Sequence, residues 1–466
     1  MPNQPATEKS RMASNSSACG PDSPHWAERM FPTQRYADDH RSPYEVDYSR
    51  IIHSASFRRL QGKMQILTSN DGDFHRTRMT HSLEVAQVGR GIVKHLKHSD
   101  TRPDVQAMLP EIALIDSVCL IHDLGHGPGS HGGENALHFC MRESGGFEAN
   151  GQTLRILSKL EIFSEGHGSN LTRRTLLGTL KYPVSYSSMQ TEPPSDGVVS
   201  PINGQLMLSQ KHHTPPKCYL DSEQDVVNWI YAPFSASDRA AILKNKAKSF
   251  DCSIMDLADD ISYGIHDLED AIALGLVTEK QMQADIDPSV WGEFIDRMAD
   301  RYPLEFQPVF GSRYNTLTSL LFSDDPAMTK KIIGRLVSYM LANTHVTHRP
   351  QYESDMFRLH ATLHPNAMRL LDALKKFILQ RVIWAPQVQQ IRFKGQQMII
   401  QLFAYLDHDP KHLLPSAIYQ LYEAAGDANS KRRVICDYVA SMTDTSLTQA
   451  YERLFSPRAG SSFDNL

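Results

Sequence analysis

The chain has 466 residues, which suffices for two to four domains of ordinary size or for one large helical domain with additions. Its 48 basic and 53 acidic residues give a net charge of -5, so the chain as a whole does not attract nucleic acid or an anionic membrane. A polyanion would therefore have to bind at a local basic site.

Targeting and redox features point to a cytoplasmic protein. No stretch of about eighteen apolar residues is present, so we predict no membrane span. Residues 1–30 are rich in Ser, Asn, Pro and charge and lack the apolar core of a signal peptide, which predicts a disordered lead. The six cysteines have no CxxC spacing and are predicted to be free thiols: Cys19, Cys119, Cys140, Cys218, Cys252 and Cys436.

The first helical pattern, residues 46–68, carries Arg50, Arg58, Arg59 and Lys63 between its apolar positions. A solvated basic face is the usual explanation of such a pattern. The alternative is that some of these cations point into a cleft and screen a phosphate.

A second amphipathic helix is predicted just downstream, and Thr80 is a candidate cap near its start. Arg76, Arg78 and His81 lie before or at its opening. Helix starts and arginine side chains both suit anions, so this segment favours the phosphate alternative.

Residues 121–134 (IHDLGHGPGSHGGE) combine three histidines and two carboxylates with five glycines. The apolar residues 111–120 before them predict a buried helix that ends near His122 and Asp123 and breaks into a glycine-rich loop. Adjacent helical residues diverge by roughly 100°, so a His and the next Asp can converge on one ion. Alone, the pair could equally well cap a helix.

Residues 253–275 predict a long amphipathic helix with a buried apolar stripe. Asp259, Tyr263 and Asp267 are four residues apart and therefore share one side of that helix. Asp259 and Asp260 lie among apolar neighbours, an unusual position for two solvated carboxylates. One of the two is predicted to be a metal ligand.

The pattern of the remaining sequence indicates an all-α fold. Residues 184–217 are polar and proline-rich and are predicted to form an insertion or lid. Helical patterns continue to the C-terminus, without a repeat or an alternating strand run. We expect a catalytic domain over 31–290 and a helical region over 291–466 that completes the site and forms an oligomer interface.

Taken together, these residues resemble a known family. His81, His122-Asp123 and Asp259 are similar to the H…HD…D signature of the HD superfamily of metal-dependent phosphohydrolases. The chain more narrowly resembles the bacterial dGTPase-like proteins, type 2 branch. The segments that carry the resemblance are SRIIHSASFRRLQGKMQ, RTRMTHSLEVAQVGR, HDLGHGPGSHGGENAL, FEANGQTLRIL, LKYP, ADDISYGIHDLEDA and RRVICDYVASMTD.

The resemblance implies an HD-type helical fold and hydrolysis of dGTP or other dNTPs to deoxynucleoside and inorganic triphosphate. It implies one divalent metal (Mn, Mg, Fe, Ni or Zn), held by His81, His122, Asp123 and Asp259. Asp259 is preferred over Asp260 because the family has the same spacing to a tyrosine and an aspartate.

The resemblance also implies roles around the metal. His131 and Glu134 would assist attack at the α-phosphorus, and His126 would face the phosphates. Phosphate contacts would be Arg78, Lys181 and Tyr182, and sugar contacts would be Gln65, Tyr263 and Asp267. Relatives commonly have HDLGHPPFGHGGE where residues 122–134 stand in this chain. Gly127, Gly129 and Ser130 replace the Pro, Phe and Gly of that sequence, and these replacements bear on the rigidity of the loop and the shape of the pocket.

The resemblance leaves open a dNTP at a regulatory site and binding of single-stranded DNA, and it implies a homo-oligomer. Two alternatives to the dNTP triphosphohydrolase stay open. One is an HD phosphohydrolase acting on another nucleotide or a nucleic acid end. The other is a noncatalytic sensor that binds dNTP or DNA through the basic segment 58–78.

Overall fold

The computed structural model describes residues 23–34, 36–65, 76–163, 166–189, 200–202, 205–207, 214–307 and 311–457. Within these ranges helices provide nearly all of the regular structure, so the predicted all-α class is confirmed. No helix in the described ranges is long and apolar enough to cross a membrane.

The helices up to residue 273 include the three that carry the candidate metal ligands. Their bounds are α1 Pro43–Ile52, α2 Ala55–Arg59, α3 Arg78–Ser99, α4 Pro103–Met108, α5 Ile112–Ile121, α6 Ser130–Met141, α7 Ala149–Arg155, α8 Arg173–Thr179, α9 Tyr186–Met189, α10 Gln224–Tyr231, α11 Ala236–Asn245 and α12 Phe250–Ala273.

The second half of the chain continues with shorter connections between helices. Their bounds are α13 Glu279–Asp285, α14 Gly292–Arg301, α15 Arg313–Leu321, α16 Pro326–Ala342, α17 Asp355–Arg358, α18 Pro365–Ile378, α19 Pro386–His408, α20 Pro410–Leu413, α21 Ser416–Ala424, α22 Ala428–Ser441 and α23 Asp444–Phe455.

Two antiparallel hairpins were not predicted from the sequence. Strands β1 Ser200–Ile202 and β2 Gln205–Met207 pair within the predicted insertion, and β3 Thr344–His348 pairs with β4 Leu359–Leu363 against α12. The second hairpin alternates buried and partly exposed residues, but each strand is only five residues long, too short to stand out among helical patterns.

The apolar residues form two main cores. The first core surrounds α12, which packs against α3, α5, α16 and α18 and buries a stripe that includes Ile254, Ile261 and Leu268. Ser249 caps the start of α12 by accepting a hydrogen bond from the amide of Cys252. This core extends through Val382, well past the domain boundary expected at residue 290.

The second core joins α6 to the C-terminal helices. Leu137 and Phe147 pack with Ile399 of α19 and Ile435 of α22. Helix α6, which follows directly on the glycine-rich loop, therefore belongs by its packing to the C-terminal part of the molecule rather than to the first core.

Some local expectations are corrected by the structure. Residues 23–30 are not a disordered lead, because Trp26 is buried against Phe234 in the first core; residues 1–22 lie outside the described ranges. The cap of α3 is Thr77 rather than Thr80, and Thr80 closes a capping box with it.

The basic residues of the first helical pattern divide between surface and interior. Arg50 donates to the main-chain oxygens of Ser169 and Asn170, and Lys63 is buried, whereas Arg58 and Arg59 are exposed. Neither a fully solvated face nor a phosphate-facing cluster describes them. Residues 66–75, within the basic segment considered for a sensor, lie outside the described ranges.

Candidate active site

Three helices of the first core deliver the candidate metal ligands. His81 lies in the first turn of α3, Asp259 lies in the middle of α12, and His122 ends α5 with Asp123 directly after it. Because α3, α5 and α12 pack against one another, three segments far apart in sequence bring these four residues together. The predicted end of the buried helix near His122 is confirmed.

The geometry of this cluster suits a cation. The Nδ1 atom of His122 donates to the carbonyl of Cys119 at 2.7 Å, which leaves Nε2 as the lone-pair atom. That Nε2 lies 3.4 Å from Oδ1 of Asp123 and 3.6 Å from Oδ1 of Asp259, and has no hydrogen-bond partner in the described structure. His81 Nε2 lies 3.2 Å from the same Asp259 oxygen.

Ligand atoms of His81, His122 and Asp123 all lie within 4.8 Å of one another. Imidazole nitrogen and carboxylate oxygen together suit a divalent transition metal or magnesium. The residues present therefore fit one divalent ion, with Asp259 as the fourth contact.

The charges in the cluster depend strongly on one another. Burial disfavours the Asp123 carboxylate, but His122, His126 and Arg78 together hold the pKa of Asp123 well below its usual range. Burial also disfavours a charged His122, and the Asp123 and Asp259 carboxylates nevertheless raise the pKa of His122 to about 9. The two carboxylates thus favour positive charge at this point of the structure.

Two cations flank the ligands. Arg78 donates from its guanidinium to Oδ2 of Asp123 at 2.7 Å, and Lys181 lies 3.1 Å from Oδ2 of Asp259 and 2.8 Å from Oδ1 of Asp256. Burial opposes the charge on Lys181, yet the Asp259 and Asp256 carboxylates raise the pKa of Lys181 well above its usual value. The Asp259 and Asp256 carboxylates thus keep Lys181 charged beside the candidate ligands.

The second group of polar residues begins on the glycine-rich loop. His131 Nδ1 lies 3.4 Å from Oε2 of Glu134, one turn further along α6, and the rings of His126 and His131 are 6.0 Å apart at 72°. The close packing that brings this turn together requires Gly133, since a Cβ there would lie 1.8 Å from the carbonyl oxygen of Pro128.

Glu134 is buried and has partners that the sequence did not reveal. Its Oε1 accepts from the amide of Ala149 at 3.2 Å and lies 3.3 Å from Nζ of Lys217, which also contacts Glu148 at 2.9 Å. Burial disfavours the Glu134 carboxylate, but His131 and Lys217 hold the pKa of Glu134 well below its usual range. Glu134 is therefore an anion that can orient His131.

Two further predicted site residues carry unpaired polar atoms. Both carboxylate oxygens of Asp267 and Oε1 of Gln65 are buried and have no hydrogen-bond partner in the described structure. Burial raises the pKa of Asp267 well above its usual value, and burial likewise raises the pKa of Tyr263. Buried polar groups without partners in the protein are suited to a polar ligand.

One cavity of about 320 Å³ joins these groups. All the predicted site residues line it except Glu134, which reaches it through His131. One wall of the cavity is formed by residues of the C-terminal region. The sequence predicted in general that residues 291–466 complete the site, but it did not identify these residues. The residues of that wall are Ile383, Val388, Gln389, Ile391, Arg392, Lys394, Gly395, Met398, Asp444, Leu447 and Thr448.

Comparisons with known proteins show the family to which the chain belongs. Residues 78–169 match the HD domain family, and residues 361–453 match the phosphohydrolase-associated domain. The chain is 41% identical over 447 residues to a deoxyguanosinetriphosphate triphosphohydrolase-like protein of Vibrio parahaemolyticus, covering 92% of this chain and 97% of the relative.

Relatives of the same name give similar values. The identity is 39% over 449 residues with the protein of Shewanella sediminis (94% and 97% of the two chains) and 42% over 447 residues with that of Vibrio campbellii (92% and 96%). These relatives match nearly their whole length, including both halves of the cavity. The chain therefore belongs to the deoxyguanosinetriphosphate triphosphohydrolase-like family of HD-domain phosphohydrolases.

Proposed function

We propose that the protein is a metal-dependent dNTP triphosphohydrolase, which cleaves dGTP or other dNTPs to deoxynucleoside and inorganic triphosphate. The observation that carries the proposal is the single cavity in which a His/Asp cluster, two charged cations and the His131–Glu134 pair adjoin unpaired polar groups. The names of the relatives support the same substrate class.

The ligand set His81, His122, Asp123 and Asp259 would hold one divalent ion (Mn, Mg, Fe, Ni or Zn). When bound, such an ion polarises a phosphoryl oxygen and lowers the pKa of a coordinated water. The identity of the ion follows from metal analysis of the purified protein, because all five ions accept these ligands.

The side chains of this chain supply the remaining steps. His131 orients the attacking water and accepts its proton, and Glu134 holds the His131 ring through the 3.4 Å contact. Arg78 and Lys181 neutralise the oxygens of the phosphates, and His126 and Tyr182 form hydrogen bonds to them. The water oxygen forms a bond to the α-phosphorus and the bond from the α-phosphorus to the 5′-oxygen breaks. The proton that His131 accepted passes to the 5′-oxygen, and the deoxynucleoside leaves.

Gln65, Tyr263 and Asp267, which line the cavity, would bind the sugar. Gln65 and Asp267 have the unpaired atoms that a 3′-hydroxyl requires, and Tyr263 lies on the same side of α12 as Asp267. A close fit around the 2′ carbon rejects a ribonucleotide, because the extra hydroxyl would be buried without a partner.

Regulation, assembly and location are part of the proposal. We expect a homo-oligomer, a regulatory dNTP or single-stranded DNA as modulator, and a cytoplasmic location. The five described cysteines are free thiols, which is typical of a reducing compartment. Light scattering gives the oligomer size, and rates with mixed dNTPs or added single-stranded DNA test the modulators.

A product assay tests the central proposal. The purified protein with Mn²⁺ or Mg²⁺ is incubated with each dNTP and with all four together, beside the Asp123→Ala variant. Chromatography is expected to give deoxynucleoside and triphosphate from the native protein only. Release of dNMP and pyrophosphate, or no turnover despite bound metal, would contradict the proposal and favour a different phosphohydrolase or the noncatalytic sensor.

A further inference from the structure

The glycine-rich loop 126–130 is tied to the C-terminal helices by one carboxylate. Asp444, the first residue of α23, accepts a hydrogen bond through Oδ1 from the amide of Gly129 at 2.7 Å. Through Oδ2 it accepts another, at 2.9 Å, from the amide of Met64, the neighbour of Gln65. One side chain thus fixes two segments that border the cavity.

A buried lysine ties the other end of the same loop. Lys63 donates from Nζ to the carbonyl oxygen of His126 at 2.5 Å and to that of Ala440, in α22, at 3.0 Å. We call Lys63 and Asp444 the loop clamp. The clamp contacts the backbone on both sides of Gly127 and Pro128 and joins it to α22 and α23.

The loop needs such external support because its backbone is strained. Gly129 has φ of 76° and Ser130 has φ of 55°, so two consecutive residues adopt the left-handed conformation, which a serine rarely does. Gly129 is the N-cap residue of α6 and has no side chain that could cap the helix. Residues in such conformations persist only where their surroundings hold them.

The supporting residues come from the second core. Asp444 and Ala440 lie in the region that matches the phosphohydrolase-associated domain, and α6 packs against α19 and α22 of the same region. His131 and Glu134 follow the clamped loop directly, at the start of α6. Their distance from the metal ligands therefore depends on where the C-terminal helices hold the loop.

We propose that Asp444 is a positioning residue, through which the phosphohydrolase-associated region sets the loop and so places His131 and Glu134 against the metal ligands. The change at Gly127, Gly129 and Ser130 relative to the common family sequence fits this arrangement. A loop with more backbone freedom is held by external hydrogen bonds rather than by its own side chains.

The test is hydrogen exchange, measured by mass spectrometry on the full-length protein. The variants are Asp444→Ala, which removes both acceptors, and Asp444→Asn, which keeps the shape but has one acceptor oxygen. The matched control is Asp427→Ala, since Asp427 also accepts from two backbone amides, those of Asn429 and Ser430, at the start of a C-terminal helix.

In Asp444→Ala we expect peptides covering 126–133 and 60–65 to exchange about ten- to a hundredfold faster, and in Asp444→Asn by a smaller factor. Asp427→Ala should leave both peptides unchanged. Unchanged exchange in the Asp444 variants, or equal acceleration in the control, would overturn the proposal. If Asp444→Ala does not fold, the same criteria apply to Asp444→Asn.

A second readout separates positioning from simple loss of stability. If the proposed dNTP hydrolysis is correct, Asp444→Asn lowers kcat by about tenfold or more because the reacting groups are misplaced, while KM and bound metal stay near native values. Native kcat in a variant with a loosened loop would contradict the positioning role. If the native protein hydrolyses no dNTP, the proposed function fails, and the exchange result still decides whether the clamp exists.

Discussion

The proposed function divides the cavity into a metal side and an attack side, and these two sides are built differently. The metal side, formed by His81, His122, Asp123 and Asp259, is carried by α3, α5 and α12 of the first core, and the side chains of His81 and His122 are only 1% and 4% exposed. The attack side, formed by His126, His131 and Glu134, is carried by the loop 126–130 and by α6 of the second core, and the His131 side chain is 58% exposed.

The difference shows what each side requires. A metal side needs ligands that barely move, and packed helices provide this. An attack side must orient a water and a phosphate, and here an exposed histidine is held by a buried glutamate. The attack side therefore depends on contacts between segments that are distant in sequence, including Lys217 and Asp444.

The largest effect is expected from breaking the metal side. Asp259→Asn should lower turnover by at least about a thousandfold and reduce bound metal, because it removes a charged ligand. Asp260→Asn is the matched control, since the Asp260 carboxylate pairs with Lys375 at 2.6 Å instead. The turnover and the metal content of both variants are measured. Equal losses of turnover and metal, or larger losses in the Asp260 variant, would show that Asp259 is not the ligand.

Breaking the attack side should leave the metal in place. His131→Gln and Glu134→Gln are each expected to lower kcat by roughly a hundred- to a thousandfold, because proton transfer and its orientation are lost. Bound metal should stay at the native level in both variants. The result that contradicts this division is loss of metal together with activity.

The contact between Lys217 and Glu134 provides a further test of the attack side. In Lys217→Met the pKa of Glu134 should rise because a neighbouring cation is removed, so the acid limb of the pH–rate profile should move to higher pH. We expect kcat to fall about tenfold at neutral pH. The control is Lys159→Met, which removes a lysine paired with Asp225 and should leave the pH–rate profile unchanged. An unchanged profile in Lys217→Met would show that Lys217 does not control the ionisation of Glu134.

The smallest effect concerns stability of the metal side. Burial disfavours the Glu84 carboxylate, but His266 and Arg76 lower the pKa of Glu84 to about 2, from 4.5. Because the folded-state pKa is depressed, the stabilisation is complete above pH 4.5 and is lost as the pH falls toward 2. The side chain is 30% exposed, so after screening we expect about 1 kcal/mol.

Urea unfolding of Glu84→Gln and the native protein checks this. The free energy of unfolding of the variant should be about 1 kcal/mol lower at pH 7, and the gap should narrow below pH 4.5. The control is Glu143→Gln, whose carboxylate is 72% exposed. A gap that is constant or widens on acidification would contradict the assignment.

The helices that carry the proposed metal side could be predicted from the sequence, because they rest on local patterns. The apolar run before His122 predicted α5, and the spacing of Asp259, Tyr263 and Asp267 predicted one face of α12. Asp260 could not be separated from Asp259 by pattern alone. Their difference appears only when α18 brings Lys375 to Asp260.

The attack side was only partly predictable. His131 and Glu134 are visible as a motif, but Lys217 lies after a proline-rich segment without periodicity, and its contact with Glu134 spans 83 residues. Asp444 belongs to a segment that resembles the family, yet its contact with Gly129 spans 315 residues. Such contacts depend on how the two cores dock, which no local pattern encodes.

The most direct test of the central claim is hydrolysis of a dNTP in ¹⁸O-labelled water, with mass spectrometry of both products. Attack of water on the α-phosphorus breaks the bond to the 5′-oxygen, so the account predicts one ¹⁸O atom in the triphosphate and none in the deoxynucleoside. Label in the deoxynucleoside, or label divided between dNMP and pyrophosphate, would contradict the account.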